Sequence, residues 1–281
     1  MPSIPSFRLL LALAAAAPCL GADNQATDSV KAESEIKAAW QSTSLGLFNE
    51  ANRSFASLSG DEARLGEAVT LLLRQPKTDG NVDRAEELLS SLIQKSPDSS
   101  LAITSRYYLG RIAQTHRTPT NPDAARKIFR ELIAAHPGHP YADLATVKLA
   151  LIELYEEVPA DTRRARFDTF AALAPGLESP TARRDLSILL ADSSQRFGYD
   201  PVIALDLLLV ADQVGIARRI EQGNTWIRIG QLAQETGRIE VAREYYNKYL
   251  TTFIRDNRRR MVQERLAALP SAPSHNQKAS Q

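Results

Sequence analysis

One apolar pattern recurs with fixed internal spacing along the chain. Ala85, Leu88, Leu89, Leu92 and Ile93 stand at offsets 0, 3, 4, 7 and 8. Ala125, Ile128, Phe129, Leu132 and Ile133 repeat it, as do Ala242, Tyr245, Tyr246, Tyr249 and Leu250; Ala204, Leu207, Leu208 and Ala211 keep most of it. Such spacing places each set on one face of a helix with 3.6 residues per turn. The leading alanines lie 40, 79 and 38 residues apart, and a further unit fits near Ala165, where Asp168 and Thr169 interrupt the stripe. A lone helix cannot cover such a stripe. Two helices per repeat, each repeat covering the next, predict an all-α solenoid of antiparallel helix pairs, about five to six of them.

The punctuation agrees. Pro76, Pro97, Pro119, Pro122, Pro137, Pro140, Pro159, Pro175, Pro180 and Pro201 divide the chain into short segments rich in Ala, Leu, Glu and Arg. Helix interiors reject proline, whereas these four residues are strong helix formers. No alternating β-branched run bounded by turns occurs. The segment Pro97-Asp98-Ser99-Ser100-Leu101-Ala102 matches Pro137-Gly138-His139-Pro140-Tyr141-Ala142, so one helix stops and the next starts in the same way. The following helices carry Leu109-Gly110 and Leu149-Ala150. A small residue there predicts close approach of the paired helix.

Trp226, Ile229, Gly230, Ala233, Gly237, Ala242 and Tyr246 fall on the tetratricopeptide pattern, which the chain resembles over roughly residues 60–270. The Pro-x-Ser/His-x-x-Ala turn is similar to variant repeats of bacterial envelope proteins, such as the β-barrel assembly lipoprotein and the Tol-associated periplasmic division coordinator. The resemblance implies a right-handed superhelix whose first helices line a concave face that holds a protein or peptide. Carried onto this chain, the groove positions are Tyr107, Arg111 and Gln114 in one repeat, Leu151 and Tyr155 in the next, and Asn224, Gln231 and Gln234 in the last. Tyr107, Leu151 and Tyr155 have packing between helices as an equally good reading. The lysines of a basic clamp for acidic C-terminal tails are absent from the Asn224 repeat, which disfavours a chaperone-tail partner.

Outside the repeats, residues 1–22 carry one cation, Arg8, then an apolar run from Leu9 to Ala17 and small residues. The run is shorter than the ~20 residues a bilayer demands and reads as a secretory signal peptide. Cleavage would remove Cys19, the only cysteine, which suits an oxidising compartment. Lipidation of Cys19 is the weaker alternative, since Pro18 precedes it; it would add a peripheral membrane anchor. Residues 23–34 are expected to be a flexible segment, 35–269 the repeat domain and 270–281 a disordered tail. The first helical pair, about 35–58, has a stripe of Trp40, Leu47, Ala51 and Phe55 and reads as an atypical cap.

Chemistry is hard to find. The formal charge of +1 gives no general pull toward nucleic acid. His136 and His139 lack a third metal ligand and read as a turn. Glu153, Glu156 and Glu157 read as a solvated face, and Asp83, Asp192, Asp206 and Asp212 show no partner pattern. Neither a phosphate loop nor a nucleophile elbow occurs. The arginine clusters at 163–166, 183–184, 218–219 and 258–260 read as exposed faces and caps, with an anionic envelope partner as the alternative. The expectation is a non-enzymatic, cofactor-free scaffold, periplasmic or outer-membrane associated, that binds another envelope protein. A helical accessory to a cell-wall hydrolase system and a self-associating structural protein are the rivals.

Overall fold

The computed structural model describes residues 22–270, with side chains from residue 30. Thirteen α-helices and no strand occur among them. The chain divides into two compact units after Leu149, inside one helix.

The first unit contains α1 (Ala22–Ser44), α2 (Phe48–Ser57), α3 (Asp61–Leu73), α4 (Asp79–Lys95), α5 (Ser100–Arg111), α6 (Pro122–Ala135) and the start of α7 (Pro140–Tyr155). A π turn, Ile112–His116, extends α5. The second unit holds the end of α7, then α8 (Ala160–Leu173), α9 (Pro180–Arg196), α10 (Pro201–Val214), α11 (Arg219–Glu235), α12 (Ile239–Thr252) and α13 (Arg259–Ala267). Consecutive helices pack as α1/α2, α3/α4 and α5/α6 in the first unit and as α9/α10 and α11/α12 in the second, where α13 packs on α12.

The expected boundaries hold. Pro122, Pro140, Pro180 and Pro201 each open a helix, where a missing N–H is harmless. Polar side chains cap the starts: Ser99 accepts from the Ala102 N–H at 3.1 Å, Asn121 from Ala124 at 3.0 Å and Asp200 from Val202 at 2.9 Å. His139 stands where Ser99 stands, and its Nδ1 accepts from the Tyr141 N–H at 3.2 Å. The His136–His139 turn is thus a helix start.

The even-numbered helices bury the recurring stripe. Ala85, Leu89, Ala125, Phe129, Ala204, Leu208, Ala242 and Tyr246 are all fully or almost fully buried. The small residue of the odd helix then matters. A Cβ on Gly66, Gly110 or Gly230 would overlap the ring of Phe55, Phe129 or Tyr246 respectively. Ala150 is likewise fully buried.

Three expectations need correction. Residues 23–34 belong to α1, because a run with Ala, Gln, Lys and Glu continues without a breaker into a helix anchored by Ala39 and Trp40. Leu47 is not in the first stripe: it precedes α2 and is largely exposed, while Ala51 and Phe55 are buried. The unit near Ala165 exists as α8, but Ala165 is exposed; Phe167 and Phe170 set its buried face, so the register is shifted by two residues. The expected signal peptide, Cys19 and the tail from 271 lie outside the described residues.

Candidate functional site

Arginines and amides link successive odd-numbered helices of the second unit. Arg228 of α11 donates to Asp192 and Gln195 of α9, each at 2.5 Å. On the other side of α11, Gln231 accepts from Arg265 of α13 when its amide oxygen faces the guanidinium. Asn224 accepts from Arg258. Toward α7, the Tyr155 ring packs 5.9 Å from Phe197 and under the Arg196 guanidinium at 5.4 Å. Burial first, then the Asp192 charge, raises the Tyr155 hydroxyl pKa, so it stays a neutral donor.

An open cleft of about 600 Å3 lies on this face. Gln195, Arg228, Gln231, Gln234, Glu235 and Arg265 line it above Leu232. Gln234 is held by the Tyr246 hydroxyl, which donates to its Oε1 at 3.2 Å. Arg265 differs from Arg228: its partners are the neutral Gln231 and Tyr246, with no carboxylate among the described residues. The cleft therefore offers amides that can both donate and accept, the Arg265 cation and the Glu235 carboxylate.

The other expected groove residues separate. Tyr107 does not line a surface: it is 7% exposed and packs at 5.3 Å from Tyr108, 5.3 Å from Tyr141 and 6.2 Å from Phe129. α5 is covered on more than one side, so its aromatic face is interior. Arg111 is half-buried and meets Thr115 at 3.4 Å. Gln114 donates to the Lys148 carbonyl at 3.3 Å and ties the π turn to α7. Leu151 is exposed. Among the expected positions, only Gln231 and Gln234 line the cleft together. Gln195, Arg228, Glu235 and Arg265 were missed, although each of the last three follows an odd-helix residue already singled out by three or four positions or sits one repeat on.

The carboxylates that showed no sequence pattern are inter-repeat ties. Asp83 takes Arg117 at 2.5 Å, Asp206 takes Arg238 at 2.6 Å, and Asp212 accepts from Trp226 Nε1 at 2.6 Å, Lys248 Nζ at 2.7 Å and the Tyr245 hydroxyl at 3.0 Å. Burial and that carboxylate push the Tyr245 pKa far up. Most clustered arginines are engaged too: Arg163 over Phe197 at 4.2 Å, Arg166 on Glu156 at 2.6 Å, Arg184 on Asp185 at 2.8 Å. No group of three or more potential metal-ligating side chains occurs among the described residues.

No protein-family model matches the chain, and no curated protein matches it. Solved structures do. A chain of the APC/C hetero-tetramer Cut9–Hcn1 aligns with TM-score 0.50 and 14% identity, over 84% of this chain and 42% of that one. PilW, described as a widely conserved type IV pilus biogenesis factor, aligns with TM-score 0.50 and 14% identity, over 83% of this chain and 98% of that one. The tetratricopeptide domain of P58(IPK) gives TM-score 0.33 at 16% identity, over 83% and 65%. This chain thus spans less than two thirds of the first and third. The likeness shows the fold: a tetratricopeptide-like solenoid of helix pairs.

Proposed function

We propose that the chain is a protein-binding scaffold of the bacterial cell envelope, exported by residues 1–22, whose second unit holds an extended peptide segment across α9, α11 and α13. The cleft carries this reading. Its amides suit the alternating donors and acceptors of a peptide backbone, and Arg265 suits one acidic group on the peptide. The charged leader and the likeness to nearly all of PilW support the envelope setting.

The test is a photo-crosslinking residue at Gln234 or at Glu240, in living cells. A discrete crosslinked protein from 234, lost with Arg265→Ala plus Gln231→Ala and absent from 240, is the expected result. Equal products from both positions would remove the cleft as the binding site. Fusion of residues 1–30 to alkaline phosphatase tests export separately: an inactive, cytoplasmic fusion would reject the envelope setting.

A further inference from the structure

The end of the second unit opposite the start of α12 has a composition that the peptide cleft does not use. In the α11/α12 hairpin, the first turn of α11 lies against the last turn of α12. The Arg219 guanidinium donates to the Thr252 carbonyl at 2.9 Å and covers the Phe253 ring at 5.2 Å. The α12–α13 connection leads from there into α13, and Arg258 reaches back to Asn224 of α11. One end of the unit thus gathers residues 218–221 and 253–264.

Two isoleucines project there. Ile220 is 75% exposed, the most exposed large apolar side chain among the described residues, and Ile254 is 67% exposed. Their neighbours Trp226 and Phe253 are buried, packed edge to face at 5.7 Å. The isoleucines are therefore surplus to the local core.

The same segments hold six arginines, at 218, 219, 255, 258, 259 and 260, against Glu221, Asp256 and Glu264. Arg219 and Arg259 bond to main-chain carbonyls, which leave their charge unneutralised. Arg255 is exposed and meets no carboxylate among the described residues. The pairs Arg218–Glu221 and Arg260–Glu264 are solvent-exposed within single helical turns, so water and salt compete easily for them. The opposite end of α11 and α12 carries Glu235, Glu240 and Glu244 against Arg238 and Arg243. Positive charge is concentrated where the isoleucines project.

We propose that this end of the second unit docks on an anionic lipid surface, with Ile220 and Ile254 entering the headgroup layer and the surrounding arginines facing lipid phosphates. A protein partner with an apolar socket could accept the isoleucines, but two aliphatic tips set among exposed arginines at 218, 219, 255 and 260 favour a fluid anionic surface over a shaped pocket. No helix of the described residues is long and apolar enough to cross a membrane, so the contact is superficial. It is independent of the peptide cleft, which lies on another part of α11.

The test uses the full chain with Cys19→Ser and one new cysteine, Ile254→Cys or Glu240→Cys, each carrying an environment-sensitive nitrobenzoxadiazole label. Because the readout is local, any insertion by residues 9–17 does not register. With vesicles of phosphatidylcholine plus phosphatidylglycerol, the label at 254 is expected to brighten and shift to the blue, while the label at 240 stays unchanged. Vesicles of phosphatidylcholine alone should give no change. Arg255→Gln plus Arg260→Gln should weaken the partitioning reported at 254 by about fivefold for each arginine neutralised. No change at 254 with anionic vesicles, equal changes at 254 and 240, or a response that survives the arginine replacements would each overturn the proposal.

Discussion

His139 and Ser99 fill the same position at the start of α7 and α5, yet they respond differently to acid. A hydroxyl accepts a hydrogen bond at any ordinary pH, whereas the His139 Nδ1 can accept from Tyr141 only while the ring is neutral. Burial, and then the nearby His136, lowers the His139 pKa. Burial, followed by Lys77 and Arg111, lowers that of His116 to about 4. In the unfolded chain both return to about 6.5. Between those values the unfolded state binds protons that the folded state refuses, so stability is complete above the upper limit and falls as pH drops through the window. The urea midpoint is expected to fall on going from about pH 7 to about pH 5. His139→Ser with His116→Gln should flatten that fall; an equally steep fall in the double variant would assign it to other groups. The role of His139 was legible because its neighbours align with those of Ser99. Tyr107 was not, because an aromatic side chain beside a stripe can end in a groove or between helices, and only the covering helices decide.

At the scale of elements, the two classes of helix differ in how many neighbours they have. α6 buries only a stripe of Ala125, Phe129 and Leu132, while α5 buries Ala102, Ile103, Thr104, Ser105, Tyr107 and Gly110 around much of its circumference. Periodicity therefore announces the even helices clearly and blurs in the odd ones. This is why the repeat could be read from the sequence but its surface-lining residues could not. The glycines of the odd helices mark the closest approach. Gly110→Ala is expected to destabilise the chain by about 1–3 kcal/mol, since the new methyl overlaps the fully buried Phe129 ring. Gly80→Ala at the start of α4 meets nothing within 4 Å and should instead stabilise by up to ~0.5 kcal/mol through helix propensity. Chemical denaturation of the two variants checks the pair; the same sign for both would mean that propensity, not helix approach, governs these positions.

At the scale of the molecule, the hydrophobic cores are local and the polar ties between repeats span a narrow sequence range. Lys95–Asp61, Arg238–Asp206, Lys248–Asp212 and Arg258–Asn224 join residues 32 to 36 positions apart. Stability then builds from neighbouring pairs rather than from one shared interior. Asp212 gives the sharpest test, because its 8%-exposed carboxylate serves α10, α11 and α12 together. Asp212→Ala strands the Trp226 N–H, the Tyr245 hydroxyl and the Lys248 ammonium in a half-buried site, an expected loss of about 2–4 kcal/mol. Asp212→Asn keeps an acceptor of the same shape and should lose less. If the cores are local, amide hydrogen exchange in the alanine variant quickens in α10–α12 while α3 and α4 keep their protection. An equal loss in α3 and α4 would mean that the chain opens as one cooperative body, and the arithmetic of neighbouring pairs would have to be abandoned.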